Sequence, residues 1–201
     1  MKLLKTAEKY LPLLFWVFII FAFDTPRFAA LTIAAAMIHE AGHVFFGALR
    51  GQFRLFPSAH PTGFRIKPAN FISYKDELIL ISGGPVLNSL VFLISFLAFK
   101  ITGGAFLYDF AFVNLLTAIS NLLPIKSYDG YRIAETLILM LKRDSFYTLS
   151  ILRAASFAFT SLLSFLSLYF ILKIGQGYWI FALFFYSALQ DLRKLAEQNV
   201  F

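Results

Sequence analysis

The stretch AAAMIHEAGHVFFGAL, residues 34–49, is an apolar run interrupted by two histidines and one glutamate. Burying such polar groups costs free energy unless a partner satisfies them, and ionisable residues inside a membrane-like segment generally mark a functional site. His39 and His43 are four positions apart, so on a helix their side chains lie one turn apart on the same face. This H-E-x-x-H spacing predicts a helix that presents two imidazoles to one metal ion.

The composition predicts a membrane protein. Of the 201 residues, 59% are hydrophobic and only 14% are charged, with a mean hydropathy of +0.74, which excludes an ordinary soluble domain. Six stretches are apolar enough to span or nearly span a bilayer. They are residues 10–23, 28–49, 78–99, 105–124, 154–172 and 178–189. We therefore predict an all-α polytopic membrane protein with six transmembrane helices in a single domain, residues 1–201.

The net charge of +7 is distributed unevenly along the chain. When six spans are threaded from a cytoplasmic N-terminus, fifteen of the eighteen Lys and Arg residues lie on the cytoplasmic side, and only Arg27, Lys100 and Lys173 lie on the other. This asymmetry agrees with the positive-inside rule and requires no nucleic-acid partner. We expect both termini to be cytoplasmic.

Glu40 is the candidate general base. It lies about 100° further round a 3.6-residue helix than His39, so it does not share the metal with the histidines but can reach a water beside it. The chain has no cysteine, which leaves His, Asp and Glu as candidate ligands. Zinc suits these ligands, and a catalytic zinc site needs three protein ligands with one open position. The alternative is that interhelical hydrogen bonds satisfy both histidines. That alternative would explain a lone intramembrane histidine well, but it explains three ionisable residues at this spacing poorly.

Asp129 is the leading candidate for the third ligand. It lies in NLLPIKSYDGYR, residues 121–132, where Pro124 should end the fourth span near the cytoplasmic interface and let Asp129 fold back. The second and fourth spans both descend toward the cytoplasm, so Asp129 and the histidines should arrive at similar depth. The alternative for Asp129-Gly130 is an ordinary turn. The competing carboxylates are Asp76 and Glu77 in the preceding loop, where His60 is best explained as a solvated loop residue.

The longest polar segment, residues 51–77, lies between the second and third spans. Its FRLF and FRIK stretches alternate around a centre that carries proline and glycine, as a short hairpin would. One interpretation is a basic loop lying on anionic lipid. The other is a membrane-edge β-hairpin, residues 52–68, that receives an extended substrate.

Taken together, these motifs resemble those of the site-2 protease family of intramembrane zinc metalloproteases. In that family an H-E-x-x-H helix pairs with a later N-x-x-P-x-x-x-x-D-G motif, which Asn121, Pro124, Asp129 and Gly130 match here. Within SGGPVLNSL, residues 82–90, Gly84 and Asn88 resemble the family's G-x-x-x-N element, although small and polar residues also serve simple helix packing.

The resemblance implies an intramembrane zinc endopeptidase. Zn²⁺ would be held by His39, His43 and Asp129, with Glu40 as the base, while Asn121 and Asn88 would bind substrate, helix capping being the alternative for Asn121. The implied partners are the lipid bilayer and a membrane-protein substrate whose helix unwinds locally. An inhibitory or regulatory membrane partner is a further expectation.

Among these proteases, the chain looks most similar to the compact six-span branch that includes the sporulation sigma-factor-processing proteases, through NLLPI and a cytoplasm-facing site. That likeness implies a bacterial-type cell membrane and a substrate such as a membrane-tethered pro-sigma factor or another regulator. Two features depart from it. No nucleotide-sensing domain is expected after the sixth span, and Tyr131 stands where a second glycine often follows. No PDZ domain is expected either.

Two other classes of function remain open at the level of the sequence. A divalent-metal transporter would use the same His and Asp ligands to pass ions across the bilayer, but it has no need of Glu40 between them. A non-catalytic membrane scaffold leaves the buried ionisable groups unexplained.

The charge asymmetry generates a prediction about orientation. Reporters fused to either terminus should be active in the cytoplasm, because fifteen of eighteen basic residues fall on that side. A C-terminal reporter that is active only outside the cell would refute the threading and the shared depth of Asp129 and the histidines.

Overall fold

Five helices and one β-hairpin form the part of the chain that the computed structural model describes, residues 25–51, 55–60, 63–68, 73–126, 128–141 and 145–174 with 185, 188 and 189. In chain order the elements are α1 Pro26–Leu49, β1 Leu55–His60, β2 Gly63–Pro68, α2 Tyr74–Thr102, α3 Ala105–Asn121, α4 Asp129–Met140 and α5 Ser145–Ile174.

Three of these helices, α1, α2 and α5, are long and apolar enough to cross a membrane, and α3 is a shorter apolar helix. They cover the second to fifth predicted spans. The first predicted span, residues 10–23, lies outside the described residues, and so does most of the sixth, residues 178–189. The helical membrane class is thus supported, and the number of six spans stays a prediction.

Local signals set the ends of α1 and α2. Thr25 caps α1 by accepting a hydrogen bond from the Phe28 N–H, and Pro26 occupies the first turn, where its missing N–H costs nothing. Ser73 caps α2 in the same way, accepting from the Asp76 N–H at 3.2 Å. At its other end α2 stops at Gly103, whose φ of +70° is left-handed and therefore favours glycine.

Helices α1 and α2 pack with their backbones in contact. A Cβ atom on Gly42 would collide with the Gly83 carbonyl, and one on Gly83 would lie 2.6 Å from the Gly42 oxygen. Such an approach is possible only between two glycines, and small residues are typical of tight helix interfaces in membranes. The pair therefore fixes how α1 and α2 meet, one residue from His43.

Helix α3 completes a three-helix core. Only Gly103 and Gly104 separate it from α2, so the two helices run antiparallel and α3 returns beside α1. A small apolar cluster joins α1 to α3, with Leu31, Ala35 and Val113 buried and Phe110 packed against them. These contacts align the middle of α3 with the helix that carries the histidines.

Helix α4 is an element that the sequence did not lead us to predict. Asp129 begins it, so Asp129-Gly130 is the first turn of a helix and not an isolated turn. A Cβ on Gly130 would lie 2.7 Å from the Leu123 oxygen and closer still to Leu122, so glycine is needed where α4 packs against the end of α3. The segment between α3 and α4 contacts α5 through a 2.9 Å hydrogen bond, in which the Lys126 N–H donates to Ser156 Oγ.

Between α1 and α2, strands β1 and β2 pair in antiparallel register, from Leu55 opposite Pro68 to His60 opposite Gly63. This is the hairpin geometry that the alternating sequence predicts. Strand β2 lies beside α1. Whether the hairpin sits at a membrane edge stays a prediction.

Large apolar side chains cover the outer faces of the long helices. Ile101 on α2 is 85% exposed and Phe165 on α5 is 73% exposed. Charged pairs lie at the helix ends instead: Arg27 bonds Asp109 at one end, and Arg50 bonds Asp76 at the other, both at 2.6 Å. Apolar flanks between polar ends are what a bilayer requires, which supports a membrane protein.

The glycine contact between α1 and α2 generates a prediction about stability. Gly42→Ala should lower the unfolding temperature in detergent. Overpacking typically destabilises a protein by about 1–3 kcal/mol, and the loss here should be at least as large, because the backbone of Gly83 cannot move aside as a side chain could. The matched control is Ala36→Val, which adds methyl groups to an exposed position of α1. Equal unfolding temperatures for Gly42→Ala and wild type would show that the contact can relax.

Candidate metal centre

Three potential ligands converge where α1, α2 and α4 meet. The Nε2 atoms of His39 and His43 lie 2.9 and 3.1 Å from Oδ2 of Asp129, and 3.2 Å from each other. All three residues are buried, and they form the one group of potential metal ligands found among the described residues. The structure thus brings together the three residues that the sequence nominated.

The spacing of these atoms fits a zinc ion. Ligands that each lie about 2.0–2.1 Å from a tetrahedral metal are about 3.3 Å apart, close to the observed 2.9–3.2 Å. Two neutral imidazoles and one carboxylate also form a donor set of the catalytic type, with three protein ligands. The residues present therefore fit zinc.

Each histidine is oriented by a hydrogen bond at its other ring nitrogen. Nδ1 of His39 lies 2.9 Å from Asn88 Oδ1, and Nδ1 of His43 lies 2.9 Å from the Leu80 carbonyl oxygen. Because both partners are acceptors, each Nδ1 donates its proton and each Nε2 keeps a free lone pair for a metal. Outer hydrogen bonds of this kind are the usual means by which proteins fix the tautomer of a ligating histidine.

Gly84 keeps open the space between the two rings. A Cβ on Gly84 would lie 2.6 Å from His39 Cε1 and 2.6 Å from His43 Nε2. Any other residue at this position would therefore push into the ligand atoms. The G-x-x-x-N pattern thus supplies both clearance, at Gly84, and a hydrogen-bond acceptor, at Asn88 four residues later.

Glu40 lies beside the ligands without bonding to them. Its carboxylate interacts electrostatically with His43, His39 and Asp129, and its Oε2 is buried without a hydrogen-bond partner among the described residues. A buried acceptor without a partner costs about 1–3 kcal/mol. Such an oxygen, next to three potential zinc ligands, is suited to bind a water molecule at the metal.

Asp129 is held as a carboxylate. Its position in the first turn of α4 gives the favourable interaction of a negative charge with a helix N-terminus. Asp129 is therefore ready to bind a cation at neutral pH.

The competing carboxylates are engaged elsewhere. Asp76 pairs with Arg50 at 2.6 Å and accepts from the Ser73 hydroxyl, and Glu77 lies 3.8 Å from Arg132. His60 is the last residue of β1, opposite Gly63. The geometry thus favours Asp129 over these candidates as the third ligand.

The two asparagines that the sequence assigned to substrate binding have different surroundings. Asn121 is half-buried, and its Nδ2 donates to the Thr117 carbonyl one turn back. Asn88 is fully buried and bonds His39, the Ala35 carbonyl at 3.0 Å and Asn114 at 2.8 Å. These contacts indicate that Asn88 orients His39, and a role in substrate binding stays a prediction for both.

Asn114 and the Leu80 carbonyl were missed by sequence reasoning. Asn114 stands alone among apolar residues seven positions before Asn121, and a lone buried amide in an apolar helix is a signal that could have been followed. A backbone carbonyl gives no sequence signal.

Comparison with known proteins identifies one relevant fold. No family model and no curated protein matches the chain. A solved structure, the site-2 protease from Methanocaldococcus jannaschii, superposes with a TM-score of 0.64 over 92% of this chain and 86% of that one, at 16% sequence identity. The chain has the fold of that protease. At this identity the likeness concerns the fold, and the chemistry has to be argued from the site.

The role of Asp129 can be tested by its effect on metal binding. Loss of an outer hydrogen-bond partner typically lowers zinc affinity by about 10–100-fold. Asp129→Ala should lower it further, because the substitution leaves only two histidines as ligands. Zinc content of the purified protein at limiting metal measures this. The matched control is Asp109→Ala, whose carboxylate pairs with Arg27 at the opposite end of α1. Full zinc occupancy in Asp129→Ala would make Asp129 a helix-end residue only.

Proposed function

We propose that this protein is a zinc-dependent intramembrane endopeptidase, which hydrolyses a peptide bond in or near a transmembrane segment of a membrane-bound substrate. The observation that carries the proposal is the convergence of His39, His43 and Asp129, with Glu40 adjacent, inside a set of apolar helices. The site-2 protease fold supports it independently, since the fold likeness does not depend on these side chains.

Depth along α1 explains why the cleavage would occur within or near the bilayer. His43 lies seven residues before Arg50, about 10 Å along a helix axis, and Arg50 with Asp76 marks the polar end of α1 and α2. The site is therefore recessed from that polar end by about a third of the hydrocarbon thickness. A substrate peptide bond has to reach it through the same apolar surroundings.

The catalytic chemistry is divided between the metal and the chain's own residues. When bound by His39, His43 and Asp129, zinc supplies Lewis acidity that activates water and polarises a carbonyl group. Glu40 accepts the proton of the attacking water, because its Oε2 is buried and not committed to a hydrogen bond among the described residues. Glu40 then passes that proton to the leaving amine, so one carboxylate serves both half-steps.

A helical substrate cannot be cleaved without unwinding, since its peptide bonds are enclosed by its own hydrogen bonds. We propose that an unwound segment pairs with the hairpin of β1 and β2. The sheet has two strands within the described residues, which leaves strand edges for a further strand, and β2 lies beside the helix that carries Glu40. Main-chain pairing of this kind binds peptides with little dependence on side-chain identity.

The finer assignment to the compact six-span branch, with a site that faces the cytoplasm of a bacterial-type membrane, is also a proposal. Its support is the NLLPI motif and the charge asymmetry of the sequence. A membrane-tethered regulator is the kind of substrate that such a site would serve.

Glu40→Gln is the decisive variant for this function. It preserves the size of the side chain but cannot accept a proton, so cleavage of a membrane-tethered peptide by purified, zinc-loaded protein should fall by about 10²–10⁴-fold while zinc stays bound. The measurement is cleavage in proteoliposomes, together with zinc content. The matched control is Glu135→Gln on α4, which makes the same chemical change away from the ligands and should cleave normally.

The outcomes separate protease from transporter. Loss of cleavage with retained zinc supports a general-base role for Glu40. Cleavage by Glu40→Gln at the wild-type rate removes Glu40 from the mechanism. If the wild-type protein cleaves nothing but carries zinc across the proteoliposome membrane, the protease hypothesis is refuted and a transporter is supported.

A further inference from the structure

A chain of buried amides leads away from the metal centre into α3. Asn88 and Asn114 are both fully buried, and Asn88 Nδ2 donates to Asn114 Oδ1 at 2.8 Å. Asn114 Nδ2 in turn donates to the Phe110 carbonyl at 2.9 Å, one turn back along α3. The proposed catalytic chemistry does not use Asn114, and α3 supplies no metal ligand.

The hydrogen bonds between these buried amides and their neighbours allow one arrangement of donors and acceptors. The Phe110 carbonyl accepts only, so the Asn114 atom that faces it is the NH₂ group, and the Asn114 oxygen faces Asn88. The Asn88 atom between the Asn114 oxygen and the Ala35 carbonyl is therefore also the NH₂ group. What remains for His39 is the Asn88 oxygen, which accepts only.

We propose that Asn114 is a positioning residue for the metal centre, which holds the Asn88 amide in the orientation that keeps the proton of His39 on Nδ1 and leaves His39 Nε2 free to bind metal. If the Asn88 amide rotated by half a turn, its oxygen would face both the Asn114 oxygen and the Ala35 carbonyl, and its NH₂ group would oppose the Nδ1–H of His39. Asn114 and Ala35 thus restrain the same amide, and Asn114 supplies one of the two restraints.

This arrangement makes the histidines unequal. His43 is oriented by a backbone carbonyl, which no substitution of Leu80 removes, whereas His39 depends on two side chains in series. Metal binding through His39 is therefore open to change by a residue on α3, two hydrogen bonds away. The inference rests on the zinc site of the proposed function but does not depend on proteolysis.

The first arm of the test measures zinc affinity by competition with a chelator, without substrate. Asn88→Ala should weaken binding by about 10–100-fold, the usual effect of losing an outer partner. Asn114→Leu, of similar size but without an acceptor, should weaken it by about 3–10-fold, because the Ala35 carbonyl still restrains Asn88. The matched control is Thr117→Val, which removes a hydrogen bond confined to α3 and should bind zinc as wild type does.

A double-mutant cycle shows whether Asn114 acts through Asn88. In the Asn88→Ala background, Asn114→Leu should change zinc affinity by less than about twofold, since the route to His39 is already broken. An equal loss in both backgrounds overturns the proposal, and so does unchanged affinity for folded Asn114→Leu or an equal loss for Thr117→Val.

The second arm locates the proton on His39 in wild-type protein, so it can overturn the proposal even when a variant fails to fold. Nitrogen-15 NMR of histidine-labelled protein is practical because the chain has three histidines. Nδ1 of His39 should carry a proton with and without zinc, and a deprotonated Nδ1 overturns the proposal. Wild type that binds no zinc would refute the proposed function instead, and the metal-free spectrum would still report on the amide chain.

Discussion

The contact between the backbones of α1 and α2 is the constraint on which the rest of the site depends. Gly42 and Gly83 allow the two helices to touch, and only at that separation does the His43 ring reach the Leu80 carbonyl. The same approach brings Asn88 against both the His39 ring and the Ala35 carbonyl. The metal centre is thus a consequence of helix packing, since a wider gap would leave both imidazoles without their orienting acceptors.

Much of the site could be predicted because its chemistry is encoded in local spacing. His39, Glu40 and His43 share a helix, so a period of 3.6 residues is enough to place them, and a proline-ended span with a cytoplasmic depth argument was enough to nominate Asp129. The glycine of the G-x-x-x-N element could be recognised as part of a motif. Its function is to leave space for two imidazole rings on another helix, and only the three-dimensional structure reveals this.

The parts that could not be predicted are those that depend on contacts between distant segments. Helix α4 was missed because Asp-Gly after a proline favours a turn, and the packing of Gly130 against the end of α3 overrides that local preference. The role of Asn114 was missed because it follows from a partner on another helix. For Asn88 the motif indicated a functional residue, and the structure shows its fully buried contact with His39.

The distance in sequence between the ligands has a consequence for biosynthesis. His39 and Asp129 are ninety residues apart, so Asp129 can reach the histidines only after α4 has been synthesised and the segment that follows α3 has folded back. The full ligand set therefore cannot exist in a nascent chain whose later helices are still inside the ribosome. Acquisition of a metal at this site would consequently be a late step of membrane assembly, and the protease activity proposed above would be absent until then.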